Sequence, residues 1–174
     1  LGDTFFFFYY LPKAIENYRK SLEILEPLGE RESLNEPLIQ DTANIRSSFA
    51  YSLATSGNTN ESLVSFNKII PIFEEKYVKD KTDKTTHFRI AMAKEGLAIT
   101  YNNLADQTNK SKAERITTLE KAIETYKESL EIYQVYREKG GAFPAINVDV
   151  DIAVSEVSDA LKKCEEKILT LQKK

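Results

Sequence analysis

The 174-residue chain has one cysteine (Cys164), one histidine (His87), no tryptophan, six glycines and five prolines. A lone cysteine excludes an internal disulfide framework and any thiolate cluster for zinc. A lone histidine has no second imidazole to share a metal with and no cysteine pair to activate. Its expected place is a helix start or the surface. Cys164 lies on an apolar stripe, where a buried structural thiol is expected in place of a nucleophile. Scarce glycine and proline favour long helices over strands and turns. There is no basic excess, the formal charge being −3, so a nucleic-acid surface is not expected. No apolar run approaches the roughly 18 residues of a membrane-spanning helix. The longest, Phe5 to Leu11, has seven.

Phosphate-binding glycine loops and nucleophile elbows are also missing. Carboxylates are plentiful but alternate with lysines at helical spacing, as in Glu120-Lys121, Glu124 and Lys127-Glu128. Solvated helix faces account for them. The expectation is a protein without catalysis, cofactor or metal. Asn60-Glu61-Ser62 and Asn109-Lys110-Ser111 fit the glycosylation pattern, but both stand at expected helix starts and read as caps. The opening Leu1-Gly2-Asp3-Thr4 has no initiator methionine and no basic signal-peptide region. The chain therefore reads as a piece of a longer protein. The cytoplasm is the expected compartment, with an extracytoplasmic domain as the alternative.

What is present is a repeat. Residues 14–25 (AIENYRKSLEIL), 62–73 (SLVSFNKIIPIF) and 122–133 (AIETYKESLEIY) share one pattern. Large apolar residues fall at Ile15, Tyr18, Leu22 and Leu25; at Leu63, Phe66, Ile70 and Phe73; and at Ile123, Tyr126, Leu130 and Tyr133. Steps of 3, 4 and 3 make one stripe on an α-helix, whereas a strand would need a period of two. Repeats at this spacing mark a stack of helix pairs, so a second helix should precede each copy. Seven helices are expected, near 1–9, 12–30, 37–56, 59–79, 84–107, 112–138 and 149–171, and no sheet.

Punctuation agrees with those bounds. Gly57-Asn58 breaks the chain, Asn58 stands three residues before Glu61, and Ser111 with Glu114 spells a capping box. Ser33, Asn35 and Pro37 mark one helix start; Gly140-Gly141 and Pro144 mark one end. Pro71 sits inside a helical stripe, and a kink there is expected, with a free carbonyl at Asn67. Pro27 should end or bend the first long helix. Tyr18, Phe66 and Tyr126 should pack against the preceding helix.

With these residues in register, the chain resembles the tetratricopeptide-repeat family. Leu1, Gly2, Phe5, Ala14, Tyr18 and Ser21 match the family pattern in the first copy. Phe49, Ala50, Leu53, Gly57, Ser62, Phe66 and Ile69 match it in the second. Leu104, Ala105, Ala122, Tyr126 and Ser129 match it in the third. Tyr9 departs from the pattern, standing where the family has glycine. The long helices and the YRKSLEI phrase resemble arrays attached to some bacterial serine/threonine protein kinases. The resemblance implies an all-α TPR-like solenoid of helical hairpins, with repeats at about 1–31, 37–79 and 84–138. A C-terminal capping helix would follow at 149–171, polar on its outer side through Lys162, Lys163, Glu165, Glu166 and Lys167.

The resemblance further implies a scaffold that binds a protein or peptide in a groove lined by the first helix of each pair. The matching positions are Asn44, Ser47, Tyr51 and Thr55. They continue through Ile99, Asn102 and Asp106 or, in a second register, through Met92, Glu95 and Asn103. That surface reads as polar and nearly uncharged. The other reading is a regulatory or oligomerisation module of a larger signalling enzyme. Phe5–Leu11 either buries against the second repeat or is covered by another chain, which includes self-association.

Overall fold

The structure is a computed structural model. It describes residues 2–32, 35–138, 142–143 and 148–173, with the side chains of 2–9, 142–143 and 148 outside the description. Among the described residues are six helices: α1 (Gly2–Arg31), α2 (Glu36–Thr55), α3 (Thr59–Lys79), α4 (Lys84–Ala105), α5 (Lys112–Arg137) and α6 (Val150–Lys173). A minimal antiparallel ladder, β1 (Ala142–Phe143) with β2 (Val148–Asp149), precedes α6. Two expectations are thereby corrected. The helices expected at 1–9 and 12–30 are one continuous helix, so residues 1–31 do not form a hairpin. A short two-stranded pairing also occurs where no sheet was expected.

Local chemistry explains the bounds. Proline interrupts neither α1 nor α3: Pro12, Pro27 and Pro71 all lie inside helices and are exposed. On the solvent side a carbonyl deprived of its N–H partner can be hydrated, so the helix runs on. Between Tyr9 and Pro12 no glycine or asparagine offers a left-handed conformation, and nothing turns the chain. Gly57 does: its φ of +79° ends α2 in the left-handed region. Asn35 caps α2 by accepting from the Leu38 N–H (3.2 Å). Asp83 caps α4 through the Thr86 N–H (2.9 Å). Ser111 and Glu114 form the complete capping box of α5. The Asn58 side chain accepts no N–H of α3; its amide donates to Glu61, 3.2 Å away. Of the expected markers, Ser33, Gly140-Gly141 and Pro144 lie outside the described residues.

Each helix packs on its sequence neighbours, and α2 also packs on α4. The apolar interior follows the chain in three patches. Leu22 of α1 meets Phe49 and Leu53 of α2, with Ile15, Tyr18 and Ile45 beside them. Ala43, Ala50, Ala54, Phe66, Ile69, Phe73, Ile90 and Ala93 unite α2, α3 and α4. The largest patch, including Phe88, Ala98, Leu119, Tyr126, Tyr133, Val157 and Cys164, unites α4, α5 and α6. The stripe residues Phe66, Phe73, Tyr126 and Tyr133 are fully buried. Their direction differs in part from expectation. Phe66 sits against Gly96 of α4, the following helix, as well as packing with α2. Tyr18 likewise packs toward α2, the helix after its own.

Two buried serines tie the layers together. Ser62 donates to the Ala50 carbonyl (2.9 Å) and lies 2.8 Å from the Thr100 hydroxyl. Ser129 donates to the Ala91 carbonyl (2.8 Å). Alanine at the accepting positions lets the backbones approach closely enough for these bonds. Since a buried hydroxyl without a partner is costly, each bond also fixes the register of a helix pair.

Candidate functional site

Of the positions expected to line a groove, Asn44 and Tyr51 lie on the seam between α2 and α4, and Asn102 and Asp106 on that between α4 and α6. On α2, Asn44 accepts from Gln40 (3.0 Å) and from the Arg89 guanidinium of α4. Tyr51 is half-buried, and its hydroxyl donates to Glu95 Oε1 of α4 (3.4 Å). Thr55 bonds back to the Tyr51 carbonyl (2.9 Å), and Ser47 is half-buried on the same helix. On α4, Asn102 accepts from Lys167 Nζ of α6 (2.9 Å) and from the Cys164 thiol (3.5 Å). Asp106, exposed, accepts from the same Lys167 (2.6 Å).

The two sequence registers for α4 describe its two flanks. Glu95 and Asn103 face α2: Asn103 donates to the Ala54 carbonyl (2.8 Å). Asn102 and Asp106 face α6. The four candidates that bond across helices, Asn44, Tyr51, Asn102 and Asp106, therefore form no single cluster but two polar seams, one on each side of α4. The surface is also more charged than its α2 residues implied. Arg89, Glu95, Asp106 and Lys167 all belong to it.

Glu95, a candidate of the second register, is a largely buried bridge between helices, a role the sequence left obscure. Tyr133 donates to its other oxygen (2.8 Å), so one carboxyl joins α2, α4 and α5 through two tyrosines. Burial raises its pKa. The negative field of Glu156 adds to the rise, and the bonds from Tyr133 and Tyr51 oppose it. Burial, followed by the Glu95 charge, raises both tyrosines in turn. The repeat register placed it on the groove side, but its burial had no signal beyond a glutamate among apolar and small residues in Met92-Ala93-Lys94-Glu95-Gly96-Leu97. It is indistinguishable there from a surface charge.

The lone histidine has a structural setting. His87 stacks flat on Tyr77, with ring centroids 4.1 Å apart, and its Nδ1 lies 3.1 Å from the Tyr136 hydroxyl. Cys164 is buried, and burial pushes its thiol up to about 11, away from the nucleophilic thiolate. Among the described residues no group of three histidine, cysteine or acidic side chains is placed to hold a metal ion. No helix among them is long and apolar enough to cross a membrane. The expected association through Phe5–Leu11 falls largely on side chains outside the description; of its last residue, Leu11, the side chain is buried.

No protein-family model matches the chain, and neither does any curated protein or any solved structure.

Proposed function

We propose that the chain is a TPR-like helical solenoid that binds a segment of a protein partner across the face formed by α2, α4 and α6. The carrying observation is the packing of α2 on α4 together with the side-chain bonds from α4 to α6. On this reading α2, α4 and α6 form one layer of the solenoid and α3 and α5 the other. Ser47, Thr55, Asn102 and Asp106 lie along the resulting face. Such a surface offers hydrogen-bonding groups at intervals to an extended or helical segment. A rigid array of neighbouring helices also holds them in fixed positions, which lowers the ordering cost of binding.

The groups already bonded between helices, Asn44, Tyr51 and Glu95, fix the spacing of the face. The rim, with the half-buried Ser47 and the exposed Asp106–Lys167 pair, is where a partner makes contact. Selection of peptides from a displayed library on the full chain tests this. Selected peptides should lose affinity for Ser47→Arg and Asp106→Arg, both folded by circular dichroism, by about tenfold or more. Peptides that bind both variants as well as the parent would place the binding surface elsewhere. The repeats are read as a scaffold without catalysis.

A further inference from the structure

The helix trios α1–α2–α3 and α3–α4–α5 are related by the internal repeat, and they treat one shared space differently. Residue 14 of α1 corresponds to 62 of α3, and Ala43 of α2 to Ala91 of α4, the same shift in both helices. Residues 62–73 of α3 correspond in turn to 122–133 of α5. In the second trio the chain fills the space itself. Tyr77 of α3 lies flat on His87 of α4, with ring centroids 4.1 Å apart. One turn away, Lys94 of α4 lies between two carboxylates, Glu74 of α3 (3.1 Å) and Glu128 of α5 (2.5 Å).

The first trio has different residues at these places. Gly29 and Ile39 stand for Tyr77 and His87, and Glu26, Arg46 and Lys68 stand for Glu74, Lys94 and Glu128. The ring is therefore missing, and a Cβ on Gly29 would meet nothing within 4 Å. The second carboxylate is missing too, with a lysine in its place. Arg46 pairs with Glu26, and its side chain is only 13% exposed. A guanidinium carries several donors in a fixed fork, so one carboxylate leaves it capacity for another. Lys68 has no ion-pair partner among the described residues.

A cleft of about 250 Å³ results between α1, α2 and α3. Glu26, Arg46 and Lys68 line its charged part, and Ile39, Ala43, Ile69 and Ile72 its apolar part. One helical turn separates Gly29 from Glu26, Ala43 from Arg46 and Ile72 from Lys68, so the two parts lie about 5 Å apart. In the second trio α3, α4 and α5 close the same space through Tyr77 and Glu128. The opening in the first trio thus comes from Gly29 and Lys68 and not from a missing neighbour.

The geometry points to a binding site for a small aromatic monocarboxylate, its carboxylate between Arg46 and Lys68 and its ring over Ile39 in the space opened by Gly29. Such a ligand brings the two groups that Glu128 and Tyr77 supply in the second trio. Glu26 neutralises one of the two cations, which leaves one positive charge for one carboxylate. Glu30, exposed at the cleft, opposes a second. The cleft is smaller than the roughly 300–1,000 Å³ that drug-sized ligands occupy, so a single ring fills it. The site rests on the repeat correspondence and is independent of the α2–α4–α6 face.

Hydrocinnamate, a ring and a carboxylate joined by two methylenes, is the probe. It is titrated into the isotope-labelled full chain and followed by amide chemical shifts. Saturable shifts at Gly29, Ala43 and Lys68 are expected, half complete at about 1 mM or below. The neutral hydrocinnamide, and acetate without the ring, should each bind at least about tenfold more weakly. Gly29→Tyr and Lys68→Glu give the first trio the residues of the second. Each should stay folded by circular dichroism and weaken binding by about tenfold or more. Gly29→Ala, which leaves room for the ring, should retain binding. So should Asp106→Arg, which separates this site from the proposed protein-binding face. No saturable shift up to about 10 mM would overturn the assignment. Equal binding of the amide, or undiminished binding by Gly29→Tyr or by Lys68→Glu, would do the same.

Discussion

The ring of Phe66 occupies the space where Gly96 would carry a side chain. A Cβ at residue 96 would lie 3.1 Å from both Cε atoms of that ring and closer still to Cζ. Both residues are buried, and they join α3 to α4 at the middle of the chain. Glycine is needed here for close approach, since its backbone is ordinary helix.

Gly96→Ala should therefore destabilise the fold by about 1–3 kcal/mol through overpacking, although alanine is the better helix former. Phe66→Ala alone should cost about 3–5 kcal/mol. In the double variant the two losses should not add, because the shortened side chain makes room for the new methyl. Urea denaturation of the four proteins measures this. Strict additivity would show that the two positions do not touch.

Glu95 makes stability depend on pH in a direction opposite to most carboxylates. Its pKa is raised in the folded chain, chiefly by burial. The native state therefore holds a proton that the unfolded state has already released. Stability from this group is present below the ordinary glutamate range and declines as pH rises from that range through the raised native value. Glu95→Gln, which keeps an oxygen to accept from one tyrosine and an N–H to donate to the hydroxyl of the other, should flatten the decline and leave the variant at least as stable at neutral pH. Thermal melts across acid to neutral pH compare the two. A steeper decline in the variant would contradict the assignment.

Cys164 should resist modification while the chain is folded. Its thiol is buried and raised to about 11, so at pH 8 little thiolate exists and less is reachable. Alkylation should be at least about a hundredfold slower than for the urea-unfolded chain. Comparable rates would mean that α6 does not stay packed on α4 and α5.

The apolar stripes were legible because burial enforces the helical period. Phe66, Phe73, Tyr126 and Tyr133 are recognisable from spacing alone and lie in the interior. So was Gly57, where no other residue adopts the left-handed turn as readily. The expected turn near Tyr9 and Tyr10 failed because the repeat pattern outweighed the local sequence, which has no residue suited to a turn. The short ladder before α6 rests on two residues a side, too few to show a period. Only part of the candidate face was readable. Helical spacing places Asn44, Tyr51 and Asn102 on seams, but which neighbour each would bond depends on how α4 sits between α2 and α6. Glu95 shows the limit most clearly, since a buried carboxyl and a solvated one are the same letter.

The most direct test of the scaffold reading is amide chemical-shift mapping of the isotope-labelled full chain with a library-selected peptide. The expected result is a continuous track of perturbed amides along α2, α4 and α6, through Ser47, Thr55, Asn102 and Asp106, with the outer faces of α3 and α5 unchanged. Perturbations confined to α3 and α5, or scattered without a continuous track, would contradict it.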